Sequence, residues 1–224
     1  MKPNNIILEG ICGSQAYGLD TETSDTDIKG IYIAPTRELL GLPKYQPKQT
    51  YDHTDPDWTY HELGKYVSLA LKCNPTVTEL LWLEGYRVLT KQGRMLVDNR
   101  HLFLSTSYVR NAYTGYCFSQ ARKLNARGGT YGNGRNKRYE KHTRHLLRLL
   151  YQGRELLETG KLTVRVTPEV REELFSAGSL SPNEIVDRFT EEIAKFDYIE
   201  SVLPGEPDYE GINTLLLRLR KATW

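Results

Sequence analysis

An α+β fold is predicted for this chain of 224 residues: a first part that mixes strands and helices, followed by a helical C-terminal part. Three observations lead there. Short apolar runs bounded by turn residues, the mark of strands, occupy the first sixty residues. Past about residue 107 the apolar positions recur at helical spacing and convincing strand patterns stop. Hydrophobic residues make up 39% and charged residues 26%, the composition of a chain that buries a core in water.

The elements follow in order. Residues 6–11, Ile-Ile-Leu-Glu-Gly-Ile, read as a short buried strand, and Gly13-Ser14 as the turn after it. Ala16 to Leu19 has room for one helical turn. Ser24 to Ile33 reads as a second strand, with Asp25, Asp27 and Lys29 on one face and Ile28 on the other. Pro35 and the stretch Gly41 to Gln49 are turns or loop, and Asp57 to Tyr60 is a third strand. From Glu62 to about Leu71, Leu63, Tyr66, Val67, Ala70 and Leu71 have helical spacing. Asn74-Pro75-Thr76 ends that helix and caps the next, which carries Leu80, Leu81 and Leu83.

In the second half, helices are expected over Tyr108–Leu124, Lys137–Thr159 with Gly160 as its stop, Pro182 to about Leu203, and Tyr209–Lys221. Gly128 to Gly134 cannot hold a helix and reads as a loop, and Leu162 to Val166 as a short strand. No repeat of fixed period is present. The boundary falls between 85 and 107, which divides the chain into a core over 1–100 and a helical domain over 101–224.

Composition excludes several classes. No apolar run approaches the ~18 residues of a membrane span. The first apolar run breaks at Glu9, too early for a secretory h-region. Cys12, Cys73 and Cys117 stand far apart with no CxxC pair, which argues against a thiolate zinc site or a disulfide framework and fits a reducing cytoplasm. Net charge is only +2, but its distribution is uneven. Nine Lys or Arg fall between Arg122 and Arg148, with Glu140 the one acid, while acids collect at 20–27 and 52–62. That separation suggests a site for a polyanion and a site for cations.

Chemistry concentrates in Gly13-Ser14-Gln15-Ala16-Tyr17-Gly18-Leu19 and Ser24-Asp25-Thr26-Asp27. On a strand, Asp25 and Asp27 leave the same face with roots ~6–7 Å apart. Two anions that close repel unless a cation intervenes, and Mg²⁺ takes a few carboxylates plus phosphate oxygens. A third acid would complete a two-metal site; Asp57, opening the third strand, is the candidate and Asp55 the fallback. Gly13 permits close backbone approach, and Ser14 offers a hydroxyl and an amide to an anion. Taken singly, a Gly-Ser is a turn and an Asp-x-Asp a solvated edge. Their pairing between two apolar strands is what points to a site.

This pattern resembles the nucleotidyltransferases of the DNA polymerase beta superfamily, and more closely the RNA-repair-pathway DNA polymerase beta family. Three ordered blocks carry the resemblance: Gly13–Leu19 through Ser24–Tyr32, Glu62–Tyr66 through Asn74–Leu81, and Lys141–Leu150 followed by Glu155-Leu156-Leu157 and Gly160. The resemblance implies a polymerase beta-like mixed sheet with flanking helices and a C-terminal helical domain, a triphosphate held by Gly13 and Ser14, two Mg²⁺ ions (with Mn²⁺ as a substitute) on Asp25 and Asp27, and Asp57 as the third carboxylate, near the attacking hydroxyl. Catalytic Asp25, Asp27 and Asp57 would thus double as the metal ligands.

On the third block, Lys141, His145 and Arg148 lie at i, i+4 and i+7 with His142 beside them. Lys141 and Arg148 are expected to contact the triphosphate or the leaving pyrophosphate. The two histidines either join them or are buried and hydrogen-bonded. Arg127–Arg138 reads as a basic Gly-rich loop that closes over a nucleotide or touches RNA, or as a solvated linker. Tyr17 is the tyrosine singled out for base stacking.

The function expected is Mg²⁺-dependent transfer of an NMP from an NTP, ATP included, to a hydroxyl, with pyrophosphate released. An RNA or other nucleic-acid end is favoured as acceptor, and a protein side chain or small molecule stays open. No membrane partner is expected. The alternatives are a non-catalytic nucleic-acid-binding or antitoxin-like module, and a metal-dependent nuclease, for which the Gly-Ser turn has no clear use.

Overall fold

The computed structural model describes residues 1–125 and 137–221. Its contacts divide the chain into two compact units, Met1–Leu104 with Pro207–Trp224, and Ser105–Glu206. This corrects a division at 100/101 into an N-terminal and a C-terminal domain: the last helix belongs with the sheet.

The first unit is a five-stranded sheet of β1 (Ile6–Cys12), β2 (Asp27–Tyr32), β3 (Thr50–Thr54), β4 (Asp57–Glu62) and β5 (Val88–Leu89), in the order β3-β4-β2-β1-β5. Strand β2 is parallel to β4, and the other neighbours are antiparallel. Alternation along β2 sends Ile28, Gly30 and Tyr32 to one face and Asp27, Lys29 and Ile31 to the other. Ile28 and Tyr32 join Trp58 and Tyr60 in one apolar cluster. Ile31 joins the larger core with Leu8, Leu63, Tyr66 and Leu81.

Helices α1 (Gly13–Tyr17), α2 (Thr36–Leu39), α3 (Leu63–Ala70), α4 (Pro75–Thr78) and α5 (Lys91–Asp98) accompany this sheet. The start of α3 is held by Glu62, whose carboxylate accepts from the Gly64 amide at 2.7 Å. The start of α4 is capped by Asn74, which accepts from the Thr76 amide at 3.1 Å with Pro75 following, as the sequence motif predicts. A 3₁₀ turn over Glu79–Trp82 continues α4.

The second unit is helical: α6 (Thr106–Asn125), α7 (Lys137–Thr159), α8 (Pro168–Ala177) and α9 (Pro182–Phe196). A methyl at Gly153 of α7 would meet Phe196 at 2.5 Å and Tyr113 at 2.9 Å, so the missing side chain lets α6, α7 and α9 close on one another. Gly160, at φ +68°, stops α7 where expected. The last described element is α10 (Tyr209–Lys221), whose Ile212, Leu215 and Leu219 enter the sheet's core.

Several expectations change. Strand β2 begins at Asp27, not Ser24. Residues 162–166 form no strand, and α9 stops at Phe196, well short of Leu203. The Gly-rich stretch 128–134, with Arg127 and Arg135, lies outside the described residues. Cys12, Cys73 and Cys117 are all buried and none is in a disulfide. Among the described residues no helix is long and apolar enough to cross a membrane.

Candidate functional site

The site grows from the junction of β1 and α1 beside the start of β2. Cys12 and Asp27 are paired across the antiparallel β1–β2 ladder. The chain then turns at Gly13, whose φ of +65° is a left-handed conformation that L side chains disfavour. Glycine is needed there for a second reason. A Cβ at position 13 would lie 1.7 Å from Asp27 Oδ2, so the Asp27 carboxylate rests in the space a side chain would fill. Ser14, half-buried, follows directly, and its carbonyl accepts from the Leu19 amide at 2.9 Å, closing the turn. Gln15 Nε2 donates to Thr26 Oγ1 at 2.9 Å, tying the turn to the residue before Asp27. Gly13, Ser14 and Asp27 are therefore brought together.

Asp25 and Asp57 are placed differently. Since β2 starts at Asp27, strand alternation does not govern Asp25, which is exposed in the segment ahead of the strand. Asp57 is exposed at the start of β4, opposite Thr54 of β3. Asp27 and Asp57 each precede the first paired couple of the parallel ladder, Ile28 with Trp58, and so open neighbouring strands. Among the described residues no group of three or more His, Cys, Asp or Glu side chains could hold a metal ion. The three-carboxylate cluster expected from the sequence is thus not assembled. The reason is local: Asp25 sits on exposed chain ahead of β2, and Asp57 is exposed at the first position of β4.

Beneath this turn lies a buried polar cluster. Glu79, 1% exposed, accepts from Tyr17 Oη at 2.7 Å on Oε2 and from Lys29 Nζ at 2.9 Å on Oε1. Lys29 Nζ also donates to the Thr76 carbonyl at 2.8 Å. Burial works against the Lys29 ammonium, but Glu79, with Cys12 and Asp27 behind it, outweighs that and raises its pKa. The Cys12 thiol is pushed far up by burial, with Glu79 adding to it, so this cysteine is no nucleophile at neutral pH.

The placement of Tyr17 corrects its expected role. It is 7% exposed with its hydroxyl engaged, so its ring offers no platform to a base. Lys29 and Glu79 are absent from the set of site residues expected from sequence. The signals were there: Lys29 sits two residues beyond Asp27 on the same strand face, and Glu79 is an acid beside the apolar pair Leu80-Leu81.

The basic stripe of α7 is also corrected. Lys141 is exposed, but Arg148 is 1% exposed. Its guanidinium donates to Gln152 and meets His145 Nδ1 at 3.0 Å. His142 Nδ1 meets Gln120 Oε1 of α6 at 3.0 Å. Leu146, Leu149 and Leu150 are buried as predicted. The stripe therefore runs from solvent at Lys141 into the interior of the helical unit at Arg148, and both histidines, half-buried, are hydrogen-bonded.

Two comparisons bear on the site. The model of a family described as "RlaP: RNA repair pathway DNA polymerase beta family" matches residues 1–185, which take in the whole sheet. The chain is also similar to "Uncharacterized 38.9 kDa protein in nrdC-mobD intergenic region" of Enterobacteria phage T4. They are 25% identical over 134 residues, 54% of this chain, and the match spans only 39% of the phage protein's length.

Proposed function

Given that the chain belongs to the RNA repair pathway DNA polymerase beta family, whose name points to a polymerase beta-type nucleotidyltransferase, we propose that it moves an NMP from an NTP to a hydroxyl acceptor and releases pyrophosphate. The observation that carries this reading is the Asp27 carboxylate resting on Gly13, directly before Ser14. An anion-binding turn and an acid within one side chain's reach suit a triphosphate that arrives with its cation.

The donor chemistry fits Mg²⁺, which is held by one or two carboxylates together with substrate phosphates rather than by an all-protein cage. Asp25 and Asp27 would hold it, with Mn²⁺ a substitute. When bound, the ion would neutralise phosphate charge and polarise the α-phosphoryl group. No step is assigned to a second ion, because the three-acid group is not assembled among the described residues. The chain's own residues do the rest. Ser14 offers its hydroxyl and amide to the phosphates. Gly13 leaves room for both the phosphates and Asp27. Asp57, opening the strand beside Asp27, faces the acceptor side and takes the proton of the attacking hydroxyl. An RNA end is the acceptor that the family's name favours.

The test is incubation with each α-labelled NTP, Mg²⁺ or Mn²⁺, and total RNA. Covalent label on RNA with stoichiometric pyrophosphate release is expected. Asp27→Asn should lower the rate about a hundredfold or more. Unaltered transfer by that variant, or binding of NTP with no transfer to RNA, protein or small-molecule hydroxyls, overturns the reading.

A further inference from the structure

Glu79 is a costly residue to place where it is. A carboxylate at 1% exposure loses its hydration, and a buried ion pair is commonly no more stabilising than apolar side chains of similar volume. Val77, Leu80 and Leu81 around it are buried and apolar, with Thr78 the one polar residue among them, so a leucine at 79 would suit packing alone. What an apolar residue could not do is grip two separate elements. One oxygen of Glu79 holds Tyr17, three residues beyond Ser14, at 2.7 Å. The other holds Lys29, two residues beyond Asp27, at 2.9 Å. Lys29 in turn is fixed to the Thr76 carbonyl at 2.8 Å. The two halves of the candidate site, the serine turn and the carboxylate strand, thus meet at a single buried side chain contributed by a third element.

We propose that Glu79 is a positioning residue, which sets the Ser14 turn and Asp27 relative to each other through Tyr17 and Lys29 and so prepares the site for a triphosphate. The inference rests on the nucleotidyltransferase reading of that site. Glu79 acts through Tyr17 and Lys29, and none of the three need touch the substrate. Fixing the turn and the carboxylate before binding reduces the ordering that binding must otherwise impose, so loss of the clamp appears as weaker phosphate affinity.

The same unit contains a matched control. Tyr60 Oη donates to Glu9, which is 5% exposed and ion-paired to Arg87 at 3.3 Å and Lys2 at 3.4 Å. Among the described residues, this second buried tyrosine–glutamate bond is tied by hydrogen bond or ion pair to Lys2 and Arg87, not to Tyr17, Glu79 or Lys29.

Binding of magnesium tripolyphosphate, a probe independent of base and acceptor, would be measured by calorimetry on the full chain, with thermal unfolding recorded for each variant. The wild type and Tyr60→Phe are expected to bind alike. Tyr17→Phe should weaken binding about tenfold. Glu79→Gln should weaken it further, and the double variant no further than Glu79→Gln alone. If Glu79→Gln does not fold, Tyr17→Phe decides, since it removes one oxygen and leaves Glu79 paired with Lys29. A wild type that does not bind the probe overturns the nucleotidyltransferase reading and the clamp with it. A wild type that binds while Tyr17→Phe binds equally, or while Tyr60→Phe loses as much, overturns the clamp alone.

Discussion

A carboxylate seated on a glycine makes position 13 unforgiving. Gly13→Ala meets two penalties: the left-handed backbone, about 1–2 kcal/mol for an L residue, and a clash that drives Asp27 from its place. Reduced stability in chemical denaturation, together with lost NTP binding, is expected. A variant as stable and active as wild type would show that Asp27 does not need that seat. His61 offers a test of a different kind. Its Nδ1 meets Thr50 Oγ1 at 2.9 Å, and burial, then the Lys65 and Lys29 charges, hold its pKa below 6.5. The unfolded chain therefore binds the proton more readily. Stability from this residue is fully present above about pH 6.5 and is lost as pH falls through the depressed folded value. The melting temperature of His61→Gln should fall less between pH 7.5 and pH 5 than that of the wild type. Equal slopes would remove His61 from the acid limb. The closeness of Gly13, Ser14 and Asp27 was legible because chemistry and chain order coincide in one short stretch. Arg148 was misleading, because a cation on a helical stripe reads as solvated until its neighbours' burial is known.

At the scale of elements, the starts of α4 and α9 were legible from their capping residues, whereas α5 and α8, closed by Thr90 and Thr167, were not expected. Ser181 and Glu184 form a capping box at the start of α9, and Ser181→Ala should cost about 1 kcal/mol by denaturation. Strand β3 was hidden by its composition: Thr50-Tyr51-Asp52-His53-Thr54 is polar because it lies at the sheet's edge, with only β4 beside it. Strand β5, two residues long, has no periodicity to read. Residues 162–166 misled in the opposite sense. Leu162 and Val164 are buried, but the backbone between them is held by side chains, with the Thr163 amide donating to Glu155 at 2.7 Å and its carbonyl accepting from Gln152 at 3.1 Å. Alternating burial without a neighbouring strand is indistinguishable in sequence from a strand.

At the scale of the whole molecule, α10 is the element whose place no local pattern predicts. It lies outside the span matched by the family model, yet it supplies Ile212, Leu215 and Leu219 to the sheet's core. Arg220 grips Glu62 with two bonds, of 2.6 and 2.8 Å, and the Glu62 carboxylate is 1% exposed. Arg220→Met leaves that carboxylate buried without its cation and should cost about 3–5 kcal/mol, read from urea denaturation. Truncation after Glu206 should leave the sheet unit unable to unfold cooperatively, whereas the contiguous stretch 105–206 should retain helical circular dichroism by itself. A truncated chain with a wild-type sheet transition would show that α10 is dispensable. The sequence by itself determined the class of fold, the main helices and the Gly-Ser and Asp pairing, because periodicity, caps and motif spacing are properties of neighbouring residues. Only the tertiary structure decided that Glu79 joins Tyr17 to Lys29, that Arg148 is interior, that Asp25 lies ahead of its strand, and that the last helix returns to the first unit. Those outcomes depend on residues dozens of positions apart competing for the same buried space, and one-dimensional spacing carries no record of that competition.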